Sequence, residues 1–384
     1  MKLKVWVASE LDVSETGGPQ EHLIGRWNAF SGRGHDVTVF APQPRGTPVR
    51  ELKFRFEPIA LCCRPRQAAL NWKLFQNWRE RLKRERPDLI YIRAGQWLLA
   101  PAVTAVRAQI PFVCEINGNI RLNLRARRIP EPLVGVATQI ERYVCGNARR
   151  VLSVGPELNE VLERLHGIDP RKFLLSPAGV DTQQFFPAAT RPDNGVVIGY
   201  AGLFNWWHYL PTFIRALAAL RERRPELCWR AVLAGYGDEE TSLRAQVQKL
   251  NLRDRVQFTG RIDQERMPEV LRTFDIGVMP FRAFSIKFLQ YAASGVPTIY
   301  PESPHFSWLG DPGVTYSTDV PPESERGFMG ALARLVEDAA LRRELGRRSR
   351  ELAEQRLGWE RVVELMERVF FEIVQCPTLV SVSA

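Results

Sequence analysis

Short apolar runs alternate with helical patterns along this chain, and the alternation starts again after residue 195. Each run has the length and composition of a buried strand, and the segments between runs carry apolar residues at helical spacing. This order is typical of βαβ units, whose strands pair in parallel within an open sheet. The predicted strands are residues 4–8, 36–40, 88–93, 111–116 and 148–154, five in the first half, and then 196–201, 229–234, 256–259, 276–279 and 298–300. The predicted helices are 21–32, 68–85, 100–109, 156–166, 210–223, 240–250, 267–273 and 286–293.

A turn-rich segment from Phe185 to Gly195 separates the two halves, and 384 residues is a length typical of two domains. We predict an α/β protein with two Rossmann-like domains, residues 1–187 and 188–358. The chain ends with a charged helical region from 323 to 374. Residues 359–384 form a terminal helix and tail, expected to cross back to the first domain. Open α/β sheets bind ligands at the carboxyl ends of their strands, so we expect the domains to face each other across a cleft.

Composition excludes several classes of protein. Hydrophobic residues make up 45% and charged residues 25% of the chain, which excludes disorder and collagen. No run of 18 apolar residues occurs and the N-terminus lacks the apolar segment of a signal peptide, so we expect a cytoplasmic protein. The cysteines contain no C-x-x-C pair and the five histidines no H-E-x-x-H motif, so we expect reduced thiols and no metal site. The six cysteines are Cys62, Cys63, Cys114, Cys145, Cys228 and Cys376.

All of the net charge of +10 lies in the first half of the chain. Residues 1–187 contain 28 Lys and Arg against 18 Asp and Glu, whereas residues 188–384 contain 25 of each. A positive field confined to one domain suits an anionic partner such as an acidic membrane surface or a phosphate-bearing lipid. A solvated helix face explains the same charge equally well. Nucleic-acid binding is not expected, because no recognition module or interleaved aromatic pattern occurs.

Two glycine pairs stand between a predicted strand and a predicted helix. Gly17 and Gly18 follow the first strand, where backbone N–H groups and a helix N-terminus could approach a phosphate. Gly235 and Gly237 take the corresponding place in the second half. A tight turn explains both pairs as well as a ligand does, and neither pair forms a G-x-G-x-x-G or Walker sequence.

The segment 282–290 is more specific. Ser285 is a good candidate for the N-cap of the helix that follows, and Lys287 lies in its first turn. A cation there opposes the helix dipole unless an anion is bound nearby. A diphosphate held by the helix N-terminus, Lys287 and Arg282, with Gln290 one turn further on to bond a hydroxyl, would account for all four residues.

Several longer motifs occur in one order along the chain. They are Ser-Gly-Arg-Gly-His-Asp-Val-Thr-Val at 31–39, Asp-Leu-Ile-Tyr at 88–91, Pro-Ala-Gly-Val-Asp at 177–181, Val-Leu-Ala-Gly-Tyr-Gly at 232–237, Val-Gln-Phe-Thr-Gly-Arg at 256–261 and Tyr-Ala-Ala-Ser-Gly-Val-Pro at 291–297. Together they resemble the retaining glycosyltransferases of family 4, the glycosyl transferases group 1, over residues 3 to 373. The resemblance implies the GT-B fold, in which two Rossmann-like domains face each other across a cleft.

The resemblance also implies roles. The second domain would bind a nucleotide-diphosphate sugar with its base near Arg261, and the first domain a glycan or polyisoprenyl-phosphate-linked acceptor. Transfer would retain the anomeric configuration, with a donor phosphate oxygen helping to deprotonate the acceptor, so no protein nucleophile is required. The lack of an Asp-x-Asp motif fits chemistry without a metal or other cofactor. Residues expected to contact the donor are Gly17, Gly18, Asn205, His208, Gly235, Gly237, Ser285, Ile286, Lys287 and Gln290.

This chain departs from the family pattern at several donor-site positions. Leu203 and His208 stand where many members carry Arg and Lys, and Arg282 and Gln290 stand where they carry a pair of glutamates. Because His208 would be partly neutral at pH 7, Lys287 and Arg282 would carry most of the charge opposite the diphosphate. These two residues are therefore the first candidates for catalysis.

Asn117, directly after the strand 111–116, is the third candidate catalytic residue, with Glu115 beside it. Arg93 and the arginines 121, 125, 127 and 128 are candidates for binding the acceptor, although surface solvation explains them equally well. The sequence thus favours a glycosyltransferase of polysaccharide or cell-envelope biosynthesis, peripheral on the cytoplasmic face of a membrane. The alternative is a non-catalytic GT-B partner subunit or glycan-binding relative, which the missing glutamates suggest.

Overall fold

A computed structural model describes the protein over residues 1–15, 17–48, 50–61, 65–93, 97–176, 178–189, 195–281, 285–302, 316–318 and 325–375. The chain divides into two compact units. Unit 1 comprises Met1–Ala178 and Val362–Ala384, and unit 2 comprises Gly179–Arg361. Each unit is an α/β structure built on one sheet, and every strand pair in both sheets is parallel.

Unit 1 contains a seven-stranded sheet in the order β3-β2-β1-β4-β5-β6-β7. Its strands are β1 (Lys4–Ala8), β2 (Asp36–Pro42), β3 (Arg55–Ile59), β4 (Leu89–Arg93), β5 (Phe112–Ile116), β6 (Arg150–Ser153) and β7 (Phe173–Leu175). Its helices before residue 179 are α1 (Gly18–Gly32), α2 (Arg66–Arg81), α3 (Ala100–Arg107), α4 (Ile120–Ala126), α5 (Glu131–Asn147) and α6 (Pro156–His166). The order reverses at β1 and β4, so the carboxyl ends of these central strands are where a ligand is expected.

Aromatic rings fill the core beneath β1. Trp6, Phe40 and Trp78 are fully buried, and their ring centroids lie 5.3 to 5.5 Å apart. Helix α2 contributes Trp78 together with Leu70 and Leu74, which recur every fourth residue and so share one face. Burying each large side chain contributes roughly 2–3 kcal/mol. This packing holds α2 against the sheet, with its N-terminus at the carboxyl ends of the strands.

The prediction of five strands in this sheet is wrong. The missed strands, β3 and β7, are the two edges of the sheet and are only partly buried, so they lack a continuous apolar run. β3 contains Pro58, which an edge strand tolerates, and β7 has only three residues. Helix α5, whose buried residues include Val134, Ala137 and Val144, was not predicted either.

Unit 2 contains a six-stranded sheet in the order β10-β9-β8-β11-β12-β13. Its strands are β8 (Val196–Ala201), β9 (Trp229–Ala234), β10 (Val256–Gly260), β11 (Ile276–Val278), β12 (Thr298–Pro301) and β13 (Tyr316–Thr318). The helices that follow α6 are α7 (Leu210–Arg223), α8 (Glu240–Lys249), α9 (Met267–Arg272), α10 (Ile286–Ala293), α11 (Glu325–Glu337), α12 (Ala339–Leu352) and α13 (Trp359–Gln375). Here the reversal is at β8 and β11, which the sequence analysis predicted as strands.

Residues 179–187, which the sequence analysis assigned to the first domain, pack within unit 2. Val180 forms a bridge with Gly358, and Arg350 donates hydrogen bonds to the carbonyls of Thr182 and Phe185. A Cβ on Gly179 would lie 2.4 Å from the indole of Trp359, so only glycine fits there. These contacts tie the segment after Ala178 to the C-terminal helices of unit 2.

Most of α13 belongs to unit 1. Phe370 is fully buried there, 5.5 Å from the ring of Phe30, and Glu367 accepts hydrogen bonds from Arg33 and is paired with His35.

Helices α5 and α13 each have 17 residues. None of the helices in the described ranges is long and apolar enough to span a membrane.

Candidate donor site in unit 2 and polar cluster in unit 1

Lys287 lies in the first turn of α10, and its side chain extends to the carboxyl end of β8. The ammonium nitrogen is 5.6 Å from the ring centroid of Tyr200 and 5.5 Å from that of Phe281. Both distances are within the range of a cation–π contact. A Cβ on Gly202 would lie 2.0 Å from Lys287 Cε and 2.5 Å from Nζ, so the lysine occupies the space that a side chain at position 202 would fill.

The charge of Lys287 is poorly compensated. Burial lowers the pKa of its ammonium to about 8, and no carboxylate in the described part of the chain counteracts this shift. The amino end of a helix carries partial positive charge, which disfavours a cation at this position further. A cation and a helix N-terminus placed together are complementary to an anion such as a phosphate.

Ser285 occupies the N-cap position of α10 in extended conformation, but its side chain makes no capping hydrogen bond. Ser285 is therefore the N-cap residue, as predicted, but its hydroxyl does not cap the helix. The hydroxyl lies 3.9 Å from the sulfur of Met279 instead. Its oxygen does not satisfy the first-turn N–H groups of Ile286 and Lys287, which leaves them suited to an external acceptor.

His208 is neutral at pH 7. Burial, and then the charge of Lys287, lower the pKa of its imidazole to about 4. Nδ1 donates a hydrogen bond to the carbonyl of Leu203 over 2.7 Å, and the hydroxyl of Tyr200 donates to the same oxygen over 2.7 Å. Since Nδ1 carries the proton, Nε2 has a lone pair and can accept a hydrogen bond. His208 thus cannot replace a lysine as a positive charge.

Gly235 and Gly237 allow the loop after β9 to lie directly against the loop after β8. A Cβ on Gly235 would lie 1.8 Å from the carbonyl oxygen of Gly202, and one on Gly237 would lie 2.5 Å from that of Phe204. Both glycines have φ near +155°, which other residues rarely adopt. Backbone hydrogen bonds join the loops, from Gly202 N–H to Ala234 and from Phe204 N–H to Tyr236. Backbone packing in unit 2 thus requires these glycines whether or not they touch a ligand.

The remaining predicted donor residues in unit 2 lie at the same edge of the sheet. Arg261 follows β10, and its guanidinium lies 5.2 Å from the ring centroid of Tyr236. Asn205 precedes a short 3-10 turn, Trp206–His208, in which the His208 N–H donates to the Asn205 carbonyl. Gln290 is buried one turn after Ile286 on α10. Arg282 lies outside the described residues.

Gly17 and Gly18 belong to unit 1, at the start of α1. A Cβ on Gly17 would lie 3.1 Å from Gln20 Oε1, the end of a flexible side chain, so packing alone does not demand glycine at position 17. The Gly17 carbonyl accepts the first helical hydrogen bond, from Glu21. Both residues therefore mark a helix N-terminus at the carboxyl end of β1.

A buried polar cluster surrounds Glu115 at the carboxyl end of β5. Its carboxylate accepts hydrogen bonds from Arg26 at 2.9 Å, from Asn117 at 2.6 Å and from the hydroxyl of Tyr91. Arg93 lies 3.6 Å away. Burial alone would raise the pKa of Glu115, but its neighbours, including both arginines, outweigh this effect and hold the pKa well below its usual value. Glu115 is therefore ionised, and its hydrogen bond from Asn117 Nδ2 fixes the direction in which Asn117 presents its amide oxygen.

A cavity of about 210 Å³ opens in unit 1 at the carboxyl ends of β1 and β2, beside the N-terminus of α2. Its lining includes the carboxylates of Glu10 and Asp12 and the guanidinium groups of Arg45 and Arg66, and Arg45 lies 4.0 Å from Asp12. Burial raises the pKa of Glu10 to about 7 although its carboxylate accepts the N–H of Trp97. Glu10 was not among the predicted site residues. Its position two residues after the first strand is the signal that could have identified it.

Two parallel sheets, each combined with alternating helices, are the architecture of the GT-B class of fold. Residues 16–184 match the family described as Glycosyltransferase Family 4, and residues 195–338 match Glycosyl transferases group 1. Both halves of the chain thus belong to glycosyltransferase families, and the two matches together extend from residue 16 to residue 338.

Similar proteins agree with this assignment. The chain is 22% identical over 383 residues to the glycogen synthase of Mycobacterium tuberculosis, covering 92% of this chain and 91% of the relative. It is 29% identical over 230 residues to the D-inositol 3-phosphate glycosyltransferase of Stackebrandtia nassauensis, covering 54% and 52%.

Solved structures show the same fold. The sucrose-phosphate synthase of Thermosynechococcus elongatus aligns with a TM-score of 0.78 at 17% identity, over 98% of this chain and 100% of that one. Anabaena Alr3699/HepE in complex with UDP aligns with a TM-score of 0.74 at 17% identity, over 96% and 100%.

Proposed function

We propose that this protein transfers a glycosyl group from a nucleotide-diphosphate sugar, and that unit 2 binds the diphosphate at Lys287. The observation that carries the proposal is the position of the Lys287 ammonium, beside Gly202 and at the N-terminus of α10, without a compensating carboxylate in the described residues. A dianionic diphosphate would supply the missing negative charge. The structure of HepE with UDP supports a nucleotide ligand, because that protein has the same fold.

Departure of the nucleotide diphosphate is the step that these residues would assist. As the bond between the anomeric carbon of the sugar and the diphosphate oxygen breaks, negative charge grows on that oxygen. Lys287 and the N–H groups of Ile286 and Lys287 are suited to stabilise it, because they are held in place before the reaction. No metal or other cofactor is then required in the proposal. Configuration would be retained if the acceptor hydroxyl attacked from the side that the diphosphate leaves, giving its proton to a phosphate oxygen.

Nucleotide binding tests this proposal directly. We expect UDP, GDP or ADP, in a panel with EDTA present, to raise the melting temperature, because a ligand at a hundred times its Kd adds about 2.7 kcal/mol of stability. Lys287→Met should abolish the shift. Lys249→Met, at the exposed end of α8, is the matched control and should keep it. An undiminished shift in Lys287→Met, or a shift that requires Mg²⁺, would contradict the proposed site.

The second candidate function is a non-catalytic GT-B partner subunit or glycan-binding relative. Two features favour it: Gln290 replaces a carboxylate with a neutral amide, which makes weaker hydrogen bonds to hydroxyls, and His208 carries no charge at pH 7. Turnover separates the two functions. Release of free nucleotide from UDP-, GDP- or ADP-sugars, with or without acceptor, indicates an enzyme, whereas tight nucleotide binding without any turnover indicates the partner subunit.

We further propose that unit 1 brings the protein to an acceptor on an anionic membrane surface. Helices α4 and α5 pack on each other around Ile120, Leu124, Val134 and Ala137. Their outer side exposes apolar and basic side chains together, a combination typical of interfacial binding. The exposed members are Leu122, Leu133, Val136, Arg125, Arg127 and Arg128.

Co-sedimentation with lipid vesicles tests this surface. We expect binding to vesicles containing phosphatidylglycerol, release by 0.5 M NaCl, and no binding to neutral phosphatidylcholine, since each cation near an anionic surface contributes roughly 1 kcal/mol. The double variant Arg127→Gln and Arg128→Gln should weaken binding. The control variant Arg223→Gln, in unit 2, should leave it unchanged. Binding that resists salt would contradict electrostatic docking.

A further inference from the structure

Two neighbouring tryptophans in unit 2 are exposed to solvent. The side chain of Trp206 is 67% exposed and that of Trp207 is 48% exposed, beside Leu203 at 44%. Large apolar side chains grouped on a surface usually mark a binding site, because leaving them in water costs free energy without a benefit to the fold. The turn that carries them is fixed by the hydrogen bond from His208 to Leu203, so the rings stand on an ordered support.

The two indoles form a corner. Their ring centroids are 5.7 Å apart and their planes meet at 87°. Each ring therefore presents an apolar surface in a different direction, and an occupant of the corner meets aromatic carbon on two sides. Flat apolar walls suit the C–H face of a pyranose ring, while the hydroxyl groups of the sugar remain in water.

This aromatic corner, Trp206 and Trp207, connects to the candidate diphosphate site through ring contacts. The centroid of Trp207 lies 5.5 Å from that of His208, which lies 4.8 Å from that of Phe281, the ring next to the Lys287 ammonium. A sugar bound at the corner would thus lie three successive contacts away from the Lys287 ammonium.

The loop that carries the aromatic corner contains no charged residue, and this favours a neutral occupant. Residues 201–210 contain no Lys, Arg, Asp or Glu, and the one histidine among them is neutral. An anionic lipid surface would be matched by cations, as on α4 and α5, and this loop has none. The transferred sugar itself must be shielded from water to avoid hydrolysis, whereas Trp206 is mostly exposed. These facts favour a neutral saccharide that contacts the corner on its solvent-exposed side.

We infer that the aromatic corner binds a neutral pyranose ring of the acceptor glycan. This inference rests on the proposed glycosyltransferase function and adds to it the class of acceptor that unit 2 contacts. It also makes Trp206 and Trp207 specificity-determining residues of acceptor binding, with no part in binding the nucleotide.

Oxidation of exposed indoles by N-bromosuccinimide, located by peptide mass spectrometry, tests the inference on the intact protein. The probes are maltotetraose, cellotetraose, mannotetraose and chitotetraose at 20 mM, and UDP alone. We expect at least one saccharide to slow oxidation of Trp206 and Trp207 about threefold or more. Trp72, 60% exposed on α2 of unit 1, is the internal control and should react at the same rate throughout. Protection of the corner by UDP alone, or by no saccharide, would overturn the inference.

Substitution separates this inference from the proposed function. In Trp206→Ala and Trp207→Ala we expect the melting shift with nucleotide to remain, and saccharide protection at the remaining indole to fall about tenfold in apparent affinity. Trp72→Ala should behave as the unsubstituted protein. Loss of the nucleotide shift in both corner variants would assign the tryptophans to the donor and overturn the acceptor assignment. If the unsubstituted protein binds no nucleotide, that result would instead contradict the proposed function.

Discussion

The Lys287 side chain occupies the space above the Cα of Gly202, where a Cβ would lie 2.0 Å from its Cε. Gly202 also has φ +141°, a backbone conformation that other residues rarely adopt. The backbone at 202 thus serves two purposes: it turns the chain sharply after β8 and leaves room for the only lysine on α10. A residue that carries no functional group therefore determines where the cation lies.

Gly202→Ala should displace Lys287 and weaken nucleotide binding at least tenfold, because the new methyl group overlaps the lysine side chain. The strained backbone conformation should also lower stability by roughly 1–3 kcal/mol. Calorimetric titration with the nucleotide that binds the unsubstituted protein measures the first effect, and urea denaturation the second. Gly260→Ala is the control, because Gly260 also has positive φ, at +71°, but no neighbour within 4 Å of a Cβ. Equal nucleotide affinity in both variants would contradict the proposed role of the space at 202.

Nucleotide binding should weaken above pH 8. Burial lowers the pKa of Lys287 to about 8, so the ammonium loses its proton as pH rises through this value. A bound diphosphate raises that pKa, so binding near pH 8 should take up a fraction of a proton, and binding at pH 6.5 none from this group. Titrations in two buffers of different ionisation enthalpy measure the uptake. Lys287→Arg, which stays charged at all these pH values, should remove the dependence; its persistence would assign the proton to another group.

Glu10→Gln should stabilise the protein more at pH 8 than at pH 5. The pKa of Glu10 is about 7 in the folded protein and close to 4.5 when unfolded, so between these values the folded state retains a proton that the unfolded chain has lost. The stabilising contribution of this group is complete below pH 4.5 and is lost as pH rises towards 7, by about 3 kcal/mol at most. Urea denaturation at both pH values measures the difference. A variant whose relative stability does not change with pH would show that Glu10 ionises normally.

Glu115→Gln should be strongly destabilising, by roughly 3–5 kcal/mol, because it leaves Arg26 and Arg93 without their buried negative partner. Glu131→Gln removes a pair of similar geometry, with Arg125 at 2.7 Å, on the surface of the same unit. Water screens that pair, so we expect little change. Urea denaturation at pH 7 compares the two. Equal losses of stability in the two variants would contradict the argument that burial makes the Glu115 ion pairs more important for stability than the exposed pair.

Buried strands were predictable from the sequence, and edge strands were not. β1, β4 and β8 are apolar except for Lys4 and Arg93 at strand ends, because helices cover both faces of a parallel sheet, and this pattern is visible without coordinates. β3 and β7 have one neighbour each and are half-exposed, so their sequences resemble loops. The pairing that makes them strands comes from β2 and β6, which pair Thr38 with Arg55 and Val151 with Phe173.

Some features of the candidate donor site could likewise be predicted from the sequence, and others could not. Ser285, Lys287 and Gln290 stand within six residues, so the helix start and its unusual cation could be identified from local sequence. The pKa values of Lys287 and His208 could not, because both depend on burial, and that of His208 depends also on the charge of Lys287, 79 positions further along the chain. The acidic group at Glu10 was missed for the same reason, since its neighbour Arg93 comes from another strand end.

The sequence by itself determined the class of fold, the family and the helix that carries Lys287, because hydrophobic periodicity and short motifs are properties of neighbouring residues. Only the tertiary structure decided that Gly202 makes room for that lysine, that His208 is neutral, and that Trp206 and Trp207 form an exposed corner. Each of these features depends on which groups pack together in the fold and on how exposed each group remains to solvent. Distances and solvation of this kind arise only when segments far apart in the chain pack together.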